Sequence, residues 1–341
     1  MFVYKKNQAI EAMDELGANG IPFVFLIDFE MKKIVIETDL ENNDRLKFKM
    51  NGKGNDSIKS EYNSPSFLES YPIERSIYAE KFQIVKNEIQ RGNSFLLNLS
   101  FPSKIVTDAT LKDIYKSTTA KYKVYLEDEF VCFSPEIFVQ IKEGRIASFP
   151  MKGTIDARIE NAQKLILEDK KELAEHFTIV DLVRNDLSRV AKNVKVDSFR
   201  YIDNIATSKK DLLQVSSEVS GTLPVDYTSS IGNIIFKLLP AGSISGAPKA
   251  KTLEIIRQAE GQERGYYTGI CGYFDGANLD SGVMIRYIEK LNNELYYRSG
   301  GGLTSMSTIE AEYQEMIDKI YLPISPTVPS ASSKNVQADN G

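Results

Sequence analysis

The chain has 341 residues, 42% of them hydrophobic, which is enough apolar material for one large core or two intimately packed ones. A formal net charge of −5 gives no basic field for nucleic acid or an anionic membrane, and neither is expected as a partner. Two cysteines without CxxC spacing, Cys132 and Cys271, and one histidine, His176, leave no disulfide framework, thiolate zinc site or multi-histidine metal site. Carboxylates and lysines are left as the acid–base groups. The first residues lack the apolar core of a signal peptide, and the longest clean apolar run, IPFVFLI at 21–27, is too short to span a bilayer. A cytoplasmic protein is expected.

In chain order, residues 21–38 cluster and alternate like two strands around a charged turn, whereas 40–66, rich in Asn, Asp, Lys, Gly and Ser, reads as loop. Residues 76–91 place Tyr78, Phe82, Val85 and Ile89 on one face, which predicts an amphipathic helix. Strands are expected at 95–101, 121–127 and 130–141, and FPMKGTIDA at 149–157 reads as a tight turn. A long helical region follows at about 159–191, then strands at 268–274, 282–289 and 294–299, a glycine run, and a final helix at about 309–321. Residues 1–75 read as a strand and loop region packed on a catalytic domain at 76–321, and 322–341 as a disordered tail. Strands in runs separated by helices predict an α+β fold with large, mostly antiparallel sheets.

The chemistry-bearing residues each admit two readings. Lys152 stands between an apolar approach and Gly153, where it either snorkels to water or uses its nitrogen. Glu172 and Glu175 share a helical face, as do Glu312 and Glu315, so the two pairs are either solvated surfaces or four oxygen ligands suited to Mg²⁺. Lys319 extends the second charged stripe and is either salt-bridged within its helix or ready for an anion. Gly300, Gly301 and Gly302 form a simple loop or let backbone N–H groups approach a carboxylate. LPAGSISGAPKAK at 239–251 fails the spacing of a phosphate loop and reads as a turn leading into a helix near Pro248. Glu136, flanked by apolar residues, is an edge carboxylate or a partly desolvated proton donor, and Arg286 is a cross-strand ion-pair partner or a carboxylate clamp.

Taken in order, SPE, PMKGT, EHFTIVDLVRNDLSRVA, LPAGSISGAPKAKTLEII, RGYYTGICGYF, MIR, SGGGLTS and EAEYQEMIDK resemble the chorismate-utilising enzymes over residues 75–321. The resemblance implies two packed α+β subdomains with large sheets around a central cleft and helices outside, binding chorismate and one Mg²⁺. It implies that Glu172, Glu175, Glu312 and Glu315 hold the metal. Arg286, Tyr267, Lys319 and the backbone at Gly300 and Gly302 would grip the substrate carboxylates, Thr154 would position the ring, and Glu136 would protonate the departing C4 hydroxyl.

Lys152 separates branches of that family. Anthranilate-forming members resemble this segment but carry alanine there, whereas the para-aminobenzoate branch carries lysine. In that branch the resemblance implies that neutral Lys152 attacks C2 and that ammonia, from a separate glutamine amidotransferase subunit, then attacks C4 to give 4-amino-4-deoxychorismate. Water-using members carry a lysine base where this chain has Leu96, and Gln214 replaces a common histidine. Anthranilate formation, or an inactive subunit binding a chorismate-like ligand, are the alternatives.

Overall fold

The computed structural model describes residues 2–55, 62–205, 211–246 and 248–324, so the expected tail lies outside the described residues from 325 onward. Two antiparallel sheets, of ten and eight strands, stack face to face with helices outside: an α+β fold. The first sheet runs Phe2–Tyr4, Ile34–Glu37, Phe23–Ile27, Ile270–Phe274, Leu279–Val283, Ile137–Lys142, Arg145–Ser148, Leu212–Thr222, Met151–Asp156, and Lys192–Ile205 also pairs with Leu212–Thr222. The second runs Lys53–Gly54, Leu46–Met50, Tyr122–Leu126, Phe130–Ser134, Tyr287–Leu291, Glu294–Leu303, Leu97–Val106, Glu69–Tyr71. No helix among the described residues is long and apolar enough to cross a membrane.

The strand Phe23–Ile27 shows why its sequence is continuously apolar. Phe23, Phe25 and Ile27 join the core beneath the outer helices, while Val24 and Leu26 face Phe48, Val124, Phe130 and Cys132 between the sheets. Both faces are buried, each large side chain contributing roughly 1.5–3 kcal/mol. Cys271 lies in the same inter-sheet core. The helix Arg75–Gln90 buries Tyr78, Phe82, Val85 and Ile89, as its periodicity predicts, against Leu97, Leu99 and Phe101.

Four expectations are corrected. Residues 40–66 are not all loop: Leu46–Met50 is a strand on Tyr122–Leu126, its alternation of Leu46, Phe48 and Met50 masked by intervening lysines. The helical region at 159–191 is two helices, Ala162–Glu168 and Lys170–Leu187, because Asp169 is extended and its side chain caps the second by accepting from the Glu172 N–H at 2.8 Å. FPMKGTIDA is an edge strand, Met151–Asp156, rather than a turn; Gly153, at φ +78°, marks a register shift between Lys152 and Thr154. The glycine run lies inside the strand Glu294–Leu303, not after it.

Two further breaks position the site. The apolar run at 130–141 divides into Phe130–Ser134 in the second sheet and Ile137–Lys142 in the first, leaving Glu136 at the crossover. The run at 282–289 divides likewise, Leu279–Val283 in the first sheet and Tyr287–Leu291 in the second, with Arg286 at φ +54° between them. The crossovers are stitched together, the Phe133 N–H donating to the Arg286 carbonyl and the Val283 N–H to that of Glu136, both at 3.1 Å. Chain that changes sheets must pass the cleft between them, and here it delivers a carboxylate and a guanidinium.

Candidate active site

The cleft is a cavity of about 770 Å³, within the roughly 300–1,000 Å³ range of small-molecule sites. The residues that the resemblance assigns to the site all line it: Glu136, Lys152, Thr154, Tyr267, Arg286, Gly300, Gly302, Lys319 and the glutamates 172, 175, 312 and 315. Sequence separation between the first and last of these is large, so only the fold makes them one site.

Lys152 comes from the bulged edge strand. Its Nζ lies 3.3 Å from Oε2 of Glu175, with the side chain about a quarter exposed (24%). The strand bearing the glycines runs opposite: a Cβ at Gly302 would stand 3.2 Å from Lys152 Nζ and 3.2 Å from Leu96 Cδ1, so the missing side chain makes room for the amine. Gly301 points the other way, where a Cβ would meet Glu312 Oε2 at 3.0 Å and Glu315 Oε1 at 3.4 Å.

The ladder leaves the backbone of Gly300 and Gly302 on the open edge. The Gly300 carbonyl accepts from Lys319 Nζ at 2.8 Å, and the N–H of Ser100, its cross-strand neighbour, is taken by Glu260 at 2.8 Å. Gly300 is therefore in a non-hydrogen-bonded pair, and Gly302, two residues on, has the same orientation. Their N–H groups face away from Leu97–Val106.

Electrostatics divide the groups. Glu136 is half-buried, and its enclosure by protein raises the carboxyl above its ordinary value; a hydrogen bond from Ser243 Oγ at 2.6 Å and the charges of Lys152, Lys319 and Arg286 act in the opposite sense. Burial pushes the Tyr267 hydroxyl up to about 12, so it stays a donor. Arg286 stacks its guanidinium 5.0 Å over the Tyr321 ring and donates from Nε to that hydroxyl at 3.3 Å. Glu175 and Glu312 are buried, which removes the solvated-surface reading for them, whereas Glu315 is half exposed and pairs with Lys319 at 2.6 Å. Ser307 Oγ donates to Glu312 Oε1 at 2.6 Å. The four carboxylates line one cavity but do not close on one another: among the described residues no three acidic, His or Cys side chains are clustered as a metal site.

His176 is elsewhere. It lies on the helix Lys170–Leu187 itself, buried against the strand Leu212–Thr222 and hydrogen-bonded through Nε2 to Ser217 Oγ at 2.6 Å, and burial, with the charges of Arg200 and Lys152, lowers it to about 4. Sequence reasoning missed Ser243, because the segment holding GSISG was read as a turn leading into a helix, with no role for its serines, and Arg298, which lines the cavity with Nε held by Glu289 at 2.6 Å. The only local signal for Ser243 was a hydroxyl in a short glycine-bounded stretch, one it shares with Ser245.

A family described as chorismate binding enzyme matches residues 8–325. The chain belongs to the chorismate-binding enzymes. Within them it is similar to uncharacterized PabA-like proteins of Haemophilus influenzae, 49% identical, and Pasteurella multocida, 48% identical, each over 317 residues and 92% of this chain, and 96% and 98% of theirs. It is 32% identical to aminodeoxychorismate synthase component 1 of Salmonella typhimurium over 262 residues, 72% of this chain but 56% of that one, so it spans about half that relative's length. Two solved chorismate-family folds superpose. Anthranilate synthase component I of Streptococcus pneumoniae gives a TM-score of 0.64 at 26% identity over 76% of this chain and 60% of that. The menaquinone-specific isochorismate synthase of Escherichia coli gives 0.72 at 14% identity over 94% and 82%, a likeness of fold alone.

Proposed function

We propose that this chorismate-binding enzyme aminates chorismate at C4, giving 4-amino-4-deoxychorismate, with ammonia supplied in the cytoplasm by a separate glutamine amidotransferase subunit. The observation that carries this reading is Lys152, an amine extended from a bulged strand into the cleft and given space by Gly302. In its neutral form the amine forms a bond to C2 while both conjugated ring double bonds shift, from C1=C2 to C1=C6 and from C5=C6 to C4=C5, and the C4–O bond breaks; Glu136 gives its proton to the departing oxygen, which leaves as water. Ammonia then bonds to C4, both ring double bonds shift back, and the C2–N bond to Lys152 breaks, returning its electron pair to the amine. Burial raises the Glu136 carboxyl above its ordinary value, the direction that suits a proton donor.

Around the ring, Arg286, Lys319, the Tyr267 hydroxyl and the N–H groups of Gly300 and Gly302 suit the carboxylates of chorismate, and Thr154, exposed on the cleft wall, suits the ring. Glu172, Glu175, Glu312 and Glu315 would hold one Mg²⁺: the donors are all oxygen, and the absent Cβ atoms of Gly153 and Gly301 leave room beside Glu172, Glu312 and Glu315. Bound there, the ion would supply positive charge opposite a substrate carboxylate. Apolar Leu96 offers no base for activating water. A separate glutaminase is supported by the PabA-like relatives and by the chain itself, whose two cysteines are buried and outside any GxCxG elbow.

Incubating the purified chain with chorismate, Mg²⁺ and ammonium tests the reading directly. Aminodeoxychorismate, with the enolpyruvyl group retained, is expected from ammonium and not from glutamine. Anthranilate with released pyruvate would overturn it, and efficient use of glutamine by the chain alone would overturn the partner.

A further inference from the structure

Ser243 lies on the short turn of helix Gly242–Ser245, and its hydroxyl donates to one oxygen of Glu136, Oε1, at 2.6 Å. A serine hydroxyl has a single proton to give. We infer that Ser243 is a positioning residue that keeps the acid proton of Glu136 on Oε2, the carboxyl oxygen left for the substrate. The inference rests on Glu136 being the proton donor of the proposed reaction.

The turn that carries Ser243 is fixed from behind. A Cβ at Gly242 would lie 2.9 Å from Asp186 Oδ2 and 3.0 Å from Leu182 Cγ, so the glycine lets the turn seat closely against the helix Lys170–Leu187. Asp186 pairs with Lys249 at 2.7 Å in a largely buried ion pair, and Lys249 also donates to the Leu238 carbonyl at 3.0 Å. Chain entering the turn and chain leaving it are thus tied to one point. The other charged groups that face Glu136 are Lys152 from the edge strand, Arg286 from the crossover and Lys319 from the end of the last helix. Their charges act on the carboxyl as a whole, whereas the Ser243 bond picks out one oxygen.

When the C4–O bond breaks, its electron pair stays on the oxygen, the Oε2 proton passes to it, and water departs. Glu136 is left as a carboxylate still accepting from Ser243. A proton on Oε1 would be tied up in the hydrogen bond to Ser243 Oγ and so turned away from the substrate.

Ser243→Ala and Ser243→Thr in the full chain test this, with ammonium as nitrogen source. Two readouts are needed: the pH–rate profile, and an infrared titration of the substrate-free carboxyl band, assigned with Glu136→Gln. In Ser243→Ala the band is expected to titrate at higher pH than in the wild type, because a donor to the charged form is gone. The alkaline limb of kcat should move up with it, the plateau rate should fall about tenfold or more, and Thr should restore both. An unshifted titration in Ser243→Ala overturns the inference whether or not the chain aminates chorismate. A shifted titration with an undiminished plateau overturns the proton placement. Wild-type protein that leaves chorismate untouched overturns the parent reading instead, and the titration still decides the Ser243–Glu136 bond.

Discussion

The helices Lys170–Leu187 and Ile309–Asp318 each bring two glutamates to the cleft, and each glutamate pair has a lysine beside it, but the two lysines are held differently. Lys319 follows its own helix, four residues after Glu315, and its Nζ is fixed by two short contacts, 2.6 Å to Glu315 and 2.8 Å to the Gly300 carbonyl. Lys152 comes from a different element, an edge strand interrupted by a bulge, and reaches Glu175 at a longer 3.3 Å. A cation anchored between helix and strand is held in place. An amine on a bulged edge, with a glycine opposite, has open space beside it, which is where the proposed reaction would bring the substrate.

Arginine breaks or sharpens that contrast most strongly, since it keeps the charge and removes the nucleophile. Lys152→Arg is expected to lose roughly 10³-fold or more in kcat, as loss of a nucleophile does. Lys319→Arg, with only an anchor and a charge to replace, should stay within about tenfold. Mass spectrometry supplies an independent view: wild-type protein held with chorismate and Mg²⁺ but no ammonia should gain the mass of chorismate minus water on the peptide containing Lys152. An active Lys152→Arg enzyme with no adduct in the wild type would make the two lysines equivalent.

The metal proposal predicts the next largest effect and treats the helices as partners. Glu315 is half exposed, so Glu315→Gln should leave the unfolding midpoint where it is. Calorimetric Mg²⁺ affinity should nonetheless fall by about tenfold or more. Glu172→Gln should do the same from the other helix. Affinity unchanged in either variant removes that helix from the site.

Much of this was legible in the sequence, and the limits have physical causes. The strand Phe23–Ile27 and the helix Arg75–Gln90 were readable because burial on two faces or one stripe leaves a direct apolar signature. The pairing of Glu172 with Glu175 and of Glu312 with Glu315 followed from helical spacing, and the cavity collects them. The crossovers at Glu136 and Arg286 were not legible: an apolar run that changes sheets looks like one long strand, since both halves are buried. Nor was the bulge at Gly153, because a glycine with positive φ serves a turn and a bulge equally well. Ser243 was hidden for a different reason. Its importance lies in a partner 107 residues away, and no local pattern reports that.

Two adjacent glycines offer the finest test of the contrast between the walls. Gly301 and Gly302 lie in one strand, so their side-chain directions are opposite: a methyl at 301 would press on Glu312 and Glu315, and one at 302 on Lys152 and Leu96. Neither has a left-handed backbone, so alanine fits the strand without strain, and the atoms it meets near the cleft include the ends of flexible side chains. The fold should tolerate both changes. Displacing a reacting group by a few tenths of an ångström costs far less than removing it, so each variant should lose several-fold to about tenfold. The loss should differ in kind. Gly302→Ala is expected to lower kcat and slow adduct formation at unchanged Mg²⁺ affinity, whereas Gly301→Ala should weaken Mg²⁺ binding, with its rate recovering at saturating metal. Identical behaviour of the two variants in both measurements would mean that the strand does not divide its faces between the lysine and the carboxylates.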